Sequence, residues 1–484
     1  MSEEITVAPL HAVVVPFPAQ GHVNPLNNFA ELLAMRGVFI TFVTTEWIHQ
    51  RLLLAAGDHK PKDRGSNFRF LSIPDGLPPE HGRTAQLDEY LFALQSLGPA
   101  LTSLLTAADK SVPPITCIVA DSFLSCTAEL AKNLGVPRVV FWTSCTTLAI
   151  MQANTDLLIS EGHIPVEEED LKSKDKLITC LPGKIPPIRP TDIMSFYREK
   201  HLSDNLYNIF LHESRINKMA DYVLVNTFEE LEGGKEAQMG LSFNGCPALA
   251  IGPVSLPNFL EGRNSMYSMW EADKTCLQWL DTQPQASVLY VSFGSIAVKS
   301  EKQLHELALG LEACGYPFLW VLRSDIAEGK PMELPEGFKD RTKDRALIVS
   351  WTEQLKVLSH PSLGGFLTHN GWNSTLEAIS MGVLMIGWPY FHDQFLDCRL
   401  AKDIWKIGLD FEGVDADEFK LVTKEVVESK IISLMGSSIG KKLRENAMRL
   451  KEAAKKAVME GGTSYTNLNT FVKDMKNMNL YEDN

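Results

Sequence analysis

The sequence predicts an α/β fold with two tandem Rossmann-like, doubly wound domains that face a cleft. The chain has 484 residues, whereas a single hydrophobic core stops growing near ~250–300 residues, so two domains are expected. Short apolar runs alternate with longer segments of helical period, which is the pattern of parallel strands joined by crossover helices. Runs such as Cys117–Ala120 lack polar alternation, which is typical of strands covered on both faces.

Both halves open with the same unit of strand, glycine-bearing turn, helix and strand. The first unit is Ala12–Val15, Pro16–His22, Leu26–Met35 and Ile40–Val43, and the second is Val288–Val291, Ser292–Ser295, Glu301–Ala313 and Phe318–Val321. The same pattern predicts twelve strands: Ala12–Val15, Ile40–Thr44, Phe68–Ile73, Ile115–Asp121, Arg138–Thr143, Tyr222–Thr227, Ala248–Gly252, Ser287–Gly294, Pro317–Arg323, Ala346–Ser350, Gly365–His369 and Leu384–Pro389.

The domain boundary is predicted where periodicity fails and Pro, Gly, Asn and Ser cluster. This gives an N-terminal domain of residues 1–252, a linker of residues 253–273 and a C-terminal domain of residues 274–484, whose last helices could pack back on the N-terminal domain. Ser160–Lys200 carries an acidic cluster and a proline-rich run, and is interpreted as surface loops that confer specificity.

Bulk properties exclude several classes of function. Lys plus Arg total 46 against 60 for Asp plus Glu, and the net charge of −14 argues against a nucleic-acid partner. The eight cysteines lack the short paired spacing of zinc or redox sites. An acidic start and the lack of any 18-residue apolar run predict no signal peptide and no membrane span, so a cytoplasmic location is expected.

A candidate nucleotide site lies in the second half. The strand Gly365–His369 ends in a glycine-bearing turn, and Asn373 and Ser374 then occupy the start of a helix Ser374–Met381, where free amides and the positive helix end favour a diphosphate. Glu377 lies one turn along the same face, where a carboxylate could accept bonds from ribose hydroxyls. Taken singly, each residue is better explained by an N-capped helix with ordinary polar loop residues.

The segment Trp351–Gln394, 44 residues long, closely resembles the plant secondary-product glycosyltransferase signature of the plant-type UDP-dependent glycosyltransferases of family 1. Weaker resemblance covers Pro16–Pro25, Phe293–Ser295 and Gly462–Phe471. The resemblance implies the GT-B fold, with an acceptor-binding N-terminal domain, a UDP-sugar-binding C-terminal domain and a monomeric state. It implies a hexosyltransferase of plant secondary metabolism that uses UDP-glucose as co-substrate and needs no metal or other cofactor.

The resemblance also assigns donor-binding roles. Trp351 matches the residue that stacks on uracil, Gln354 and Thr352 lie beside the nucleoside, and Glu377 matches the ribose ligand. His369, Asn373, Ser374 and Ser295 match the diphosphate ligands, while Trp372, Asp393 and Gln394 match residues that contact the sugar, glutamine at the last position favouring glucose. Departures from the usual pattern occur at Thr352, Glu353, Asn370, Leu384 and His392, and they leave the choice of donor sugar less secure than the fold.

His22 and Asp121 are the predicted catalytic pair. Each follows a predicted strand of the first sheet, at the strand ends where open α/β sheets place ligands, so the carboxylate could orient the imidazole. The residues alone leave open a loop histidine and a helix-capping aspartate. In the matching family these positions are the general base and its partner, which implies that His22 deprotonates an acceptor hydroxyl as it attacks C1 of the sugar, with inversion.

Other assignments are weaker. Phe17, Phe123, Trp142 and Ile188 are candidates for the acceptor pocket, although aromatic and aliphatic residues at such positions are often core. Asp415 and Asp417 have paired-acid spacing but precede a predicted helix, Glu418–Ser429, so capping is favoured over metal binding. The acceptor is expected to be a small apolar molecule such as a flavonoid, another phenolic or a terpenoid. A C-glycosyltransferase and a sugar-nucleotide-binding protein without turnover remain as alternatives.

Overall fold

The computed structural model describes residues 9–56, 66–107, 109–173, 175–198, 205–241, 245–263, 268–295, 300–323, 333–414 and 420–480. Its backbone contacts divide the chain into two compact units. Unit 1 comprises Met1–Ala153, Asn205–Met269 and Ala457–Asn484, and unit 2 comprises Asn154–Asp204 and Trp270–Lys456. Within the described residues, every helix is too short or too polar to cross a membrane.

The strands of the described residues are β1 (His11–Val15), β2 (Phe39–Thr45), β3 (Phe68–Ile73), β4 (Cys117–Asp121), β5 (Arg138–Trp142), β6 (Tyr222–Val225), β7 (Ala248–Ala250), β8 (Val288–Ser292), β9 (Phe318–Val321), β10 (Ala346–Val349), β11 (Leu363–Thr368), β12 (Met385–Gly387) and β13 (Gly408–Asp410). All twelve predicted strands are present, with ends that differ by no more than two residues. The three-residue β13 was not predicted, because its run contains a single large apolar residue, Leu409.

The helices of unit 1 are α1 (Gln20–Ala34), α2 (Glu46–Ala56), α3 (Leu87–Leu94), α4 (Gly98–Thr106), α5 (Thr127–Leu134), α6 (Thr146–Ala153), α9 (Asn205–Asn217), α10 (Glu229–Glu232), α11 (Gly234–Gln238), α12 (Ser255–Leu260) and α21 (Thr463–Leu480). Helix α20 (Ser438–Val458) belongs to unit 2 as far as Lys456, and its last two residues belong to unit 1. Those of unit 2 are α7 (Thr155–Ser160), α8 (Glu168–Lys172), α13 (Cys276–Asp281), α14 (Glu301–Ala313), α15 (Phe338–Thr342), α16 (Gln354–Leu358), α17 (Trp372–Met381), α18 (Gln394–Arg399) and α19 (Lys424–Gly436).

Unit 1 contains a seven-stranded sheet in the order β3-β2-β1-β4-β5-β6-β7, and every pairing is parallel. β1, β4 and β5 are buried along their whole length, because helices cover both faces of the sheet. The strand order reverses between β1 and β4, where doubly wound sheets bind their ligands beyond the carboxyl ends of the strands. His22 follows β1 and Asp121 ends β4, so both lie at this position.

Unit 2 contains a six-stranded parallel sheet in the order β10-β9-β8-β11-β12-β13. Its order reverses between β8 and β11, so the loop Phe293–Ser295 after β8 and His369 after β11 share one end of the sheet. The two sheets confirm the predicted class, α/β with two Rossmann-like, doubly wound parallel sheets.

The unit limits differ from the predicted domain limits at residues 154–204, whereas residues 457–484 group as the predicted packing of the last helices on the N-terminal domain would require. Residues 154–204, placed by the sequence in the N-terminal domain, group with unit 2. The buried Asp192 explains this, since its carboxylate pairs with Arg399 of α18 at 2.7 Å. At the other end, residues 457–484 group with unit 1. In α21, the Ser464 hydroxyl donates to the Gly252 carbonyl at 2.6 Å and Phe471 packs against Phe29.

Helix α1 begins six residues earlier than predicted. The sequence indicated a helix from Leu26, yet the helix starts at Gln20 and includes Pro25. His22 is therefore a residue of the first helical turn, where its backbone N–H bonds to the Ala19 carbonyl at 2.9 Å. The helix itself fixes the ring at the carboxyl end of β1.

Candidate active site

In unit 1, His22 is held from one side by two polar side chains. Its Nδ1 lies 2.8 Å from Oδ2 of Asp121 and 3.1 Å from the hydroxyl of Thr143. Asp121 is fully buried, and its other oxygen accepts the backbone N–H of Phe123 at 3.1 Å. A carboxylate facing Nδ1 favours the tautomer with the proton on that nitrogen. The lone pair of Nε2 is then available, and no described residue forms a hydrogen bond with Nε2.

Aromatic rings surround this imidazole. The ring centroids of Phe17 and Phe123 lie 4.9 and 5.2 Å from that of His22, and Phe123 also meets Phe210 of α9 at 5.2 Å. Tyr90 packs on Phe17 at 6.1 Å and donates its hydroxyl to the Pro18 carbonyl at 2.7 Å. The His22 side chain is 18% exposed, so the imidazole is recessed in an apolar surround.

The four candidate acceptor residues separate into two groups. Phe17 and Phe123 lie beside His22, as described. Trp142 ends β5 with 2% exposure, and Ile188 is fully buried in unit 2, where its backbone pairs with Ile178. These last two side chains offer little surface to a ligand, and neither does Phe17 at 3% exposure, so that Phe123 is the one of the four that is partly exposed. The predicted role of all four residues stays untested. The sequence did not indicate that Ile188 pairs with Ile178, because an isolated bridge has no periodic pattern.

In unit 2, two glycines fix the ring of His369. A Cβ added to Gly294 would lie 2.6 Å from Cε1 and Nε2 of the ring, and one added to Gly371 would lie 2.6 Å from Nε2. Gly294 also has a φ of +69°, a conformation that L side chains rarely adopt. Ser295, half-buried, follows Gly294. The loop after β8 and the start of α17 thus both lie against one imidazole.

Helix α17 begins at Trp372, with Gly371 as N-cap, two residues before the predicted start. Asn373 and Ser374 therefore lie in the first turn, where backbone N–H groups have no partner within the helix. Trp372 is 2% exposed and packs near Trp405 at 6.2 Å, so its indole is part of the core. The helix presents amides and short polar side chains to any anion at its positive end.

A network of polar side chains joins α16 to α17. Nε2 of Gln354 donates to the Ser374 hydroxyl at 2.9 Å and to Oε2 of Glu377 at 2.8 Å. Burial raises the pKa of Glu377 to about 7, and the bond from Gln354 offsets only part of that effect. Tyr290 of β8 completes the network, 2.8 Å from the hydroxyl of Thr352 and 3.4 Å from Oε1 of Gln354. Residues predicted for the ribose and the diphosphate are thus brought together.

Trp351 stacks on a second indole. The rings of Trp270 and Trp351 lie 4.5 Å apart with an interplanar angle of 28°. The backbone N–H of Asp273 also donates to the Trp351 carbonyl at 2.9 Å. Trp270 falls in the predicted linker and was not identified from the sequence, since only the fold brings it to Trp351.

The predicted sugar ligands lie where the loop after β12 enters α18. Oε1 of Gln394 accepts the backbone N–H groups of Tyr390 and Phe391 at 2.8 and 3.3 Å, which orients the amide so that Nε2 is its remaining polar atom. Asp393 is 3.3 Å from Nδ1 of His392. His392 itself has a φ of +59°, which shapes a tight turn at this point.

Three of the departures from the signature have structural explanations. Thr352 is buried and bonded to Tyr290, and Glu353 pairs with Lys356 at 2.9 Å, so its charge is compensated locally. Asn370 adopts a φ of +59°, which asparagine tolerates better than most residues. Asp415 and Asp417 lie outside the described residues. Among the described residues there is no group of three or more His, Cys, Asp or Glu side chains that could hold a metal ion.

Comparison with known proteins decides the family. A family model described as UDP-glucoronosyl and UDP-glucosyl transferase matches residues 256–460, and the model of a glycosyltransferase N-terminal domain matches residues 8–80. UDP-glycosyltransferase 85A1 of Arabidopsis thaliana is 38% identical over 478 residues, covering 96% of this chain and 95% of the relative. The chain belongs to this family. It is a UDP-glycosyltransferase.

Two further comparisons extend this result. The 7-deoxyloganetin glucosyltransferase of Catharanthus roseus is 38% identical, over 96% of each chain. The structure of Phytolacca americana UGT2 complexed with UDP-2fluoro-glucose and pterostilbene matches with a TM-score of 0.76 and 30% identity, covering 96% of this chain and 99% of the other. Such solved neighbours confirm the GT-B fold of the UDP-glycosyltransferase. They also support binding of a UDP-sugar donor.

Several residues of the two sites were not predicted. Thr143 bonds to the ring of His22, Tyr90 packs on Phe17, Tyr290 bonds to Thr352, and Trp270 stacks on Trp351. For Thr143 a signal existed, because it ends the predicted strand Arg138–Thr143, just as Asp121 ends the predicted strand Ile115–Asp121. The contacts of the other three depend on side-chain packing between segments distant in sequence.

Proposed function

We propose that this enzyme transfers glucose from UDP-glucose to a hydroxyl of a small lipophilic acceptor, with inversion at the anomeric carbon and His22 as general base. The observation that carries the proposal is the 2.8 Å contact of Nδ1 of His22 with the buried Asp121. This contact is the arrangement required to keep Nε2 unprotonated and pointed away from the carboxylate, as in other base–carboxylate pairs.

The proposed reaction is a single displacement. Nε2 of His22 takes the proton from the acceptor hydroxyl while the oxygen forms a bond to C1 of glucose, and the bond from C1 to the UDP oxygen breaks. The imidazolium that forms is stabilised by Asp121, which stays ionised. Thr143, 3.1 Å from Nδ1, supplies a second oxygen acceptor for the proton on that nitrogen.

The departing diphosphate is proposed to be stabilised without a metal. The first turn of α17, with Asn373 and Ser374, offers N–H groups aimed at one place, and His369 is fixed beside it by two glycines. Preorganised donors of this kind stabilise charge that develops on a leaving group. The proposal predicts that EDTA leaves the rate of transfer unchanged, measured with donor at saturation. A rate restored only by added Mg²⁺ or Mn²⁺ would contradict it.

For the nucleoside, Trp351 is proposed to stack on uracil, and Glu377 and Gln354 to bind the ribose. The bond between Gln354 and Glu377 supports this assignment, because it aligns the carboxylate along the face of α17 that carries Ser374. Glucose is proposed as the donor sugar, with Asp393 and Gln394 as its ligands. The fixed amide of Gln394 supports that choice, and the UGT2 neighbour was solved with UDP-2fluoro-glucose.

The acceptor is proposed to be a phenolic, a flavonoid or a terpenoid. The partly exposed ring of Phe123 beside His22, backed by the buried ring of Phe17, favours a flat or apolar molecule over a polar one. The names of the relatives agree with this range, since one is a 7-deoxyloganetin glucosyltransferase and the UGT2 structure contains pterostilbene. We propose a cytoplasmic, monomeric enzyme.

The test combines product detection with two matched variants. Purified enzyme is incubated with UDP-glucose and a panel of phenolics and terpenoids, and products that carry one added hexose are detected by mass spectrometry. His22→Ala is compared with His212→Ala, a change of an exposed histidine on α9. We expect His22→Ala to lose transfer by a factor on the order of 10²–10⁴ while binding UDP normally, and His212→Ala to behave as wild type.

The same experiment separates the alternatives. Full turnover by His22→Ala would show that His22 is not the base. A protein that binds UDP but makes no product with any acceptor would be a sugar-nucleotide-binding protein without turnover. A product that resists acid hydrolysis would carry a carbon link and identify a C-glycosyltransferase.

A further inference from the structure

The stretch Pro187–Arg198 of unit 2 lies against the loop and helix that carry the sugar ligands. Its main contact is a two-pronged ion pair, in which Nε and Nη2 of Arg399 each lie 2.7 Å from an oxygen of Asp192. The Asp192 carboxylate is buried, and Oδ2 also accepts the backbone N–H of Arg189 at 2.6 Å. Burial raises the pKa of Asp192, and Arg399 opposes that effect. Parallel bonds between a guanidinium and a carboxylate fix orientation as well as distance.

Further contacts continue from this ion pair toward the sugar ligands. Nη2 of Arg399 also donates to the Pro187 carbonyl at 3.1 Å, and the guanidinium of Arg198 lies 4.9 Å above the ring of Phe395. The backbone N–H of His392 donates to the Ser195 hydroxyl at 3.3 Å. The stretch therefore contacts α18 at Phe395 and Arg399, and it contacts the loop before α18 at His392.

Those contacts matter because α18 is a short helix. It spans Gln394–Arg399 and continues directly into a five-residue π-helical segment, Leu400–Ile404, and isolated helices below ~12–15 residues are marginal in water. Gln394 is its first residue, and Asp393 is its N-cap. The backbone N–H groups of Tyr390 and Phe391 orient the Gln394 amide locally, while the position of the whole turn depends on contacts from outside the helix, of which the one at Arg399 is a buried ion pair.

We propose that the Asp192–Arg399 pair, assisted by Ser195, positions Asp393 and Gln394 for the donor sugar and so sets the preference among UDP-sugars. This inference rests on the proposed function, in which Asp393 and Gln394 bind the hexose. Asp192, Ser195 and Arg399 are positioning residues, because they act through α18 and the loop that leads into it. The stretch that the sequence indicated as a specificity loop thus acts on the donor sugar.

The nucleotide and the hexose use different elements, and this makes the inference testable. UDP is proposed to bind at α17 and Trp351, whereas the hexose meets the start of α18. Loss of the anchor should therefore weaken discrimination between hexoses and leave UDP binding unchanged. A merely structural role would lower stability or UDP affinity without altering the preference among sugars.

The experiment compares Asp192→Asn, Ser195→Ala and Asp403→Asn in the full-length enzyme. Asp403 forms an ion pair at 3.2 Å with Arg189, which lies in the same stretch, and both side chains are about a third exposed. Asp403→Asn is therefore a matched control, because it also removes a carboxylate from an ion pair of this stretch, but an exposed one. For each variant we measure kcat/KM with UDP-glucose and with UDP-galactose, the Kd of UDP by calorimetry, and Tm.

We expect Asp192→Asn to reduce the ratio of kcat/KM for UDP-glucose over UDP-galactose by about tenfold, with the Kd of UDP changed less than about twofold. Ser195→Ala should change the ratio in the same direction by a smaller factor, and it remains informative if Asp192→Asn does not fold. Asp403→Asn should match wild type. An unchanged ratio in both test variants, or a parallel loss of UDP affinity, would overturn the inference.

Gln394→Ala distinguishes a failure of this inference from a failure of the proposed function. If Gln394→Ala alters the sugar ratio and Asp192→Asn does not, the sugar site stands and the positioning role is wrong. If Gln394→Ala itself leaves the ratio unchanged, the assignment of the sugar site is wrong, and the positioning role with it.

Discussion

The two glycines that fix His369 allow backbone strain to be separated from the loss of a ligand contact. Gly371→Ala would place a methyl group 2.6 Å from Nε2 of His369 without an unfavourable φ. Gly294→Ala would add the same conflict to a φ of +69°. Gly315→Ala, in the same unit, would force alanine into a φ of +74° with nothing within 4 Å of the new Cβ. This variant is therefore the control that shows the effect of backbone strain without any contact to His369.

The magnitudes follow from these geometries. Left-handed backbone costs an L residue roughly 1–2 kcal/mol, so Gly315→Ala should lower Tm by about 2–8 °C. Gly371→Ala loses only an N-cap preference of under ~1 kcal/mol, but it displaces the ring proposed to hold the diphosphate. A hydrogen bond to a charged group contributes ~1.5–3 kcal/mol, which corresponds to about tenfold to a hundredfold in the Kd of UDP. Gly294→Ala should show both effects.

Calorimetric titration with UDP and a thermal melt on each variant provide the assay. The expected pattern is weaker UDP binding for Gly371→Ala and Gly294→Ala, and a lower Tm for Gly315→Ala and Gly294→Ala. If Gly371→Ala binds UDP as tightly as wild type, the position of His369 does not matter to the donor. If Gly315→Ala weakens UDP binding as much, the effect comes from general destabilisation.

Four more predictions concern the nucleoside site and His22. Because burial raises the pKa of Glu377 from its ordinary 4.5 to about 7, the folded protein loses stability through this group as pH rises from 4.5 through 7. Glu377→Gln should therefore raise Tm at pH 8 and leave it unchanged near pH 4.5, and equal shifts at both pH values would refute this. The ionised carboxylate is the better acceptor for ribose hydroxyls, so UDP should bind more weakly at pH 6 than at pH 8, and a pH-independent Kd would argue against that contact. Trp270→Ala should weaken UDP binding by about two- to tenfold, because an aromatic pair contributes ~0.5–1.5 kcal/mol. The Kd of UDP is measured by fluorescence quenching. Tighter binding would mean that Trp270 occupies the face of Trp351 that uracil needs. Thr143→Val should lower kcat less than Asp121→Asn does, because Thr143 makes the longer of the two contacts to Nδ1 of His22. Single-turnover rates check this order. The reverse order would make Thr143 the main partner of His22.

The sequence was most informative where burial dictates composition. Strands such as β4 and β11 are covered on both faces, so their apolar runs could be identified without any knowledge of the fold. The same strands placed Asp121 and His369 at their carboxyl ends. That position, together with the family resemblance, gave the prediction for Asp121, whereas the role predicted for His369 came from the resemblance alone. The helices were predicted less well, since α1 starts at Gln20 and continues through Pro25, a residue that usually marks a boundary.

Contacts between distant segments could not be predicted in this way. Nothing in the pattern around Trp270 indicates that it stacks on Trp351, and the acidic and proline-rich composition of residues 160–200 gave no sign of the Asp192–Arg399 pair. Ile188 was proposed for the acceptor pocket because it is apolar and lies in a loop, yet the fold buries it completely. Spacing along the chain reveals local structure, whereas these arrangements depend on tertiary packing.

The configuration of the product tests the proposed role of His22 most directly. Loss of activity in His22→Ala shows only that the ring is needed, whereas the anomeric configuration shows whether it acts as a base in one displacement or as a nucleophile in two. UDP-glucose is an α-glycoside, so the account predicts a β-glucoside, identified from the anomeric proton coupling in the NMR spectrum of the purified product. An α-glucoside would contradict it.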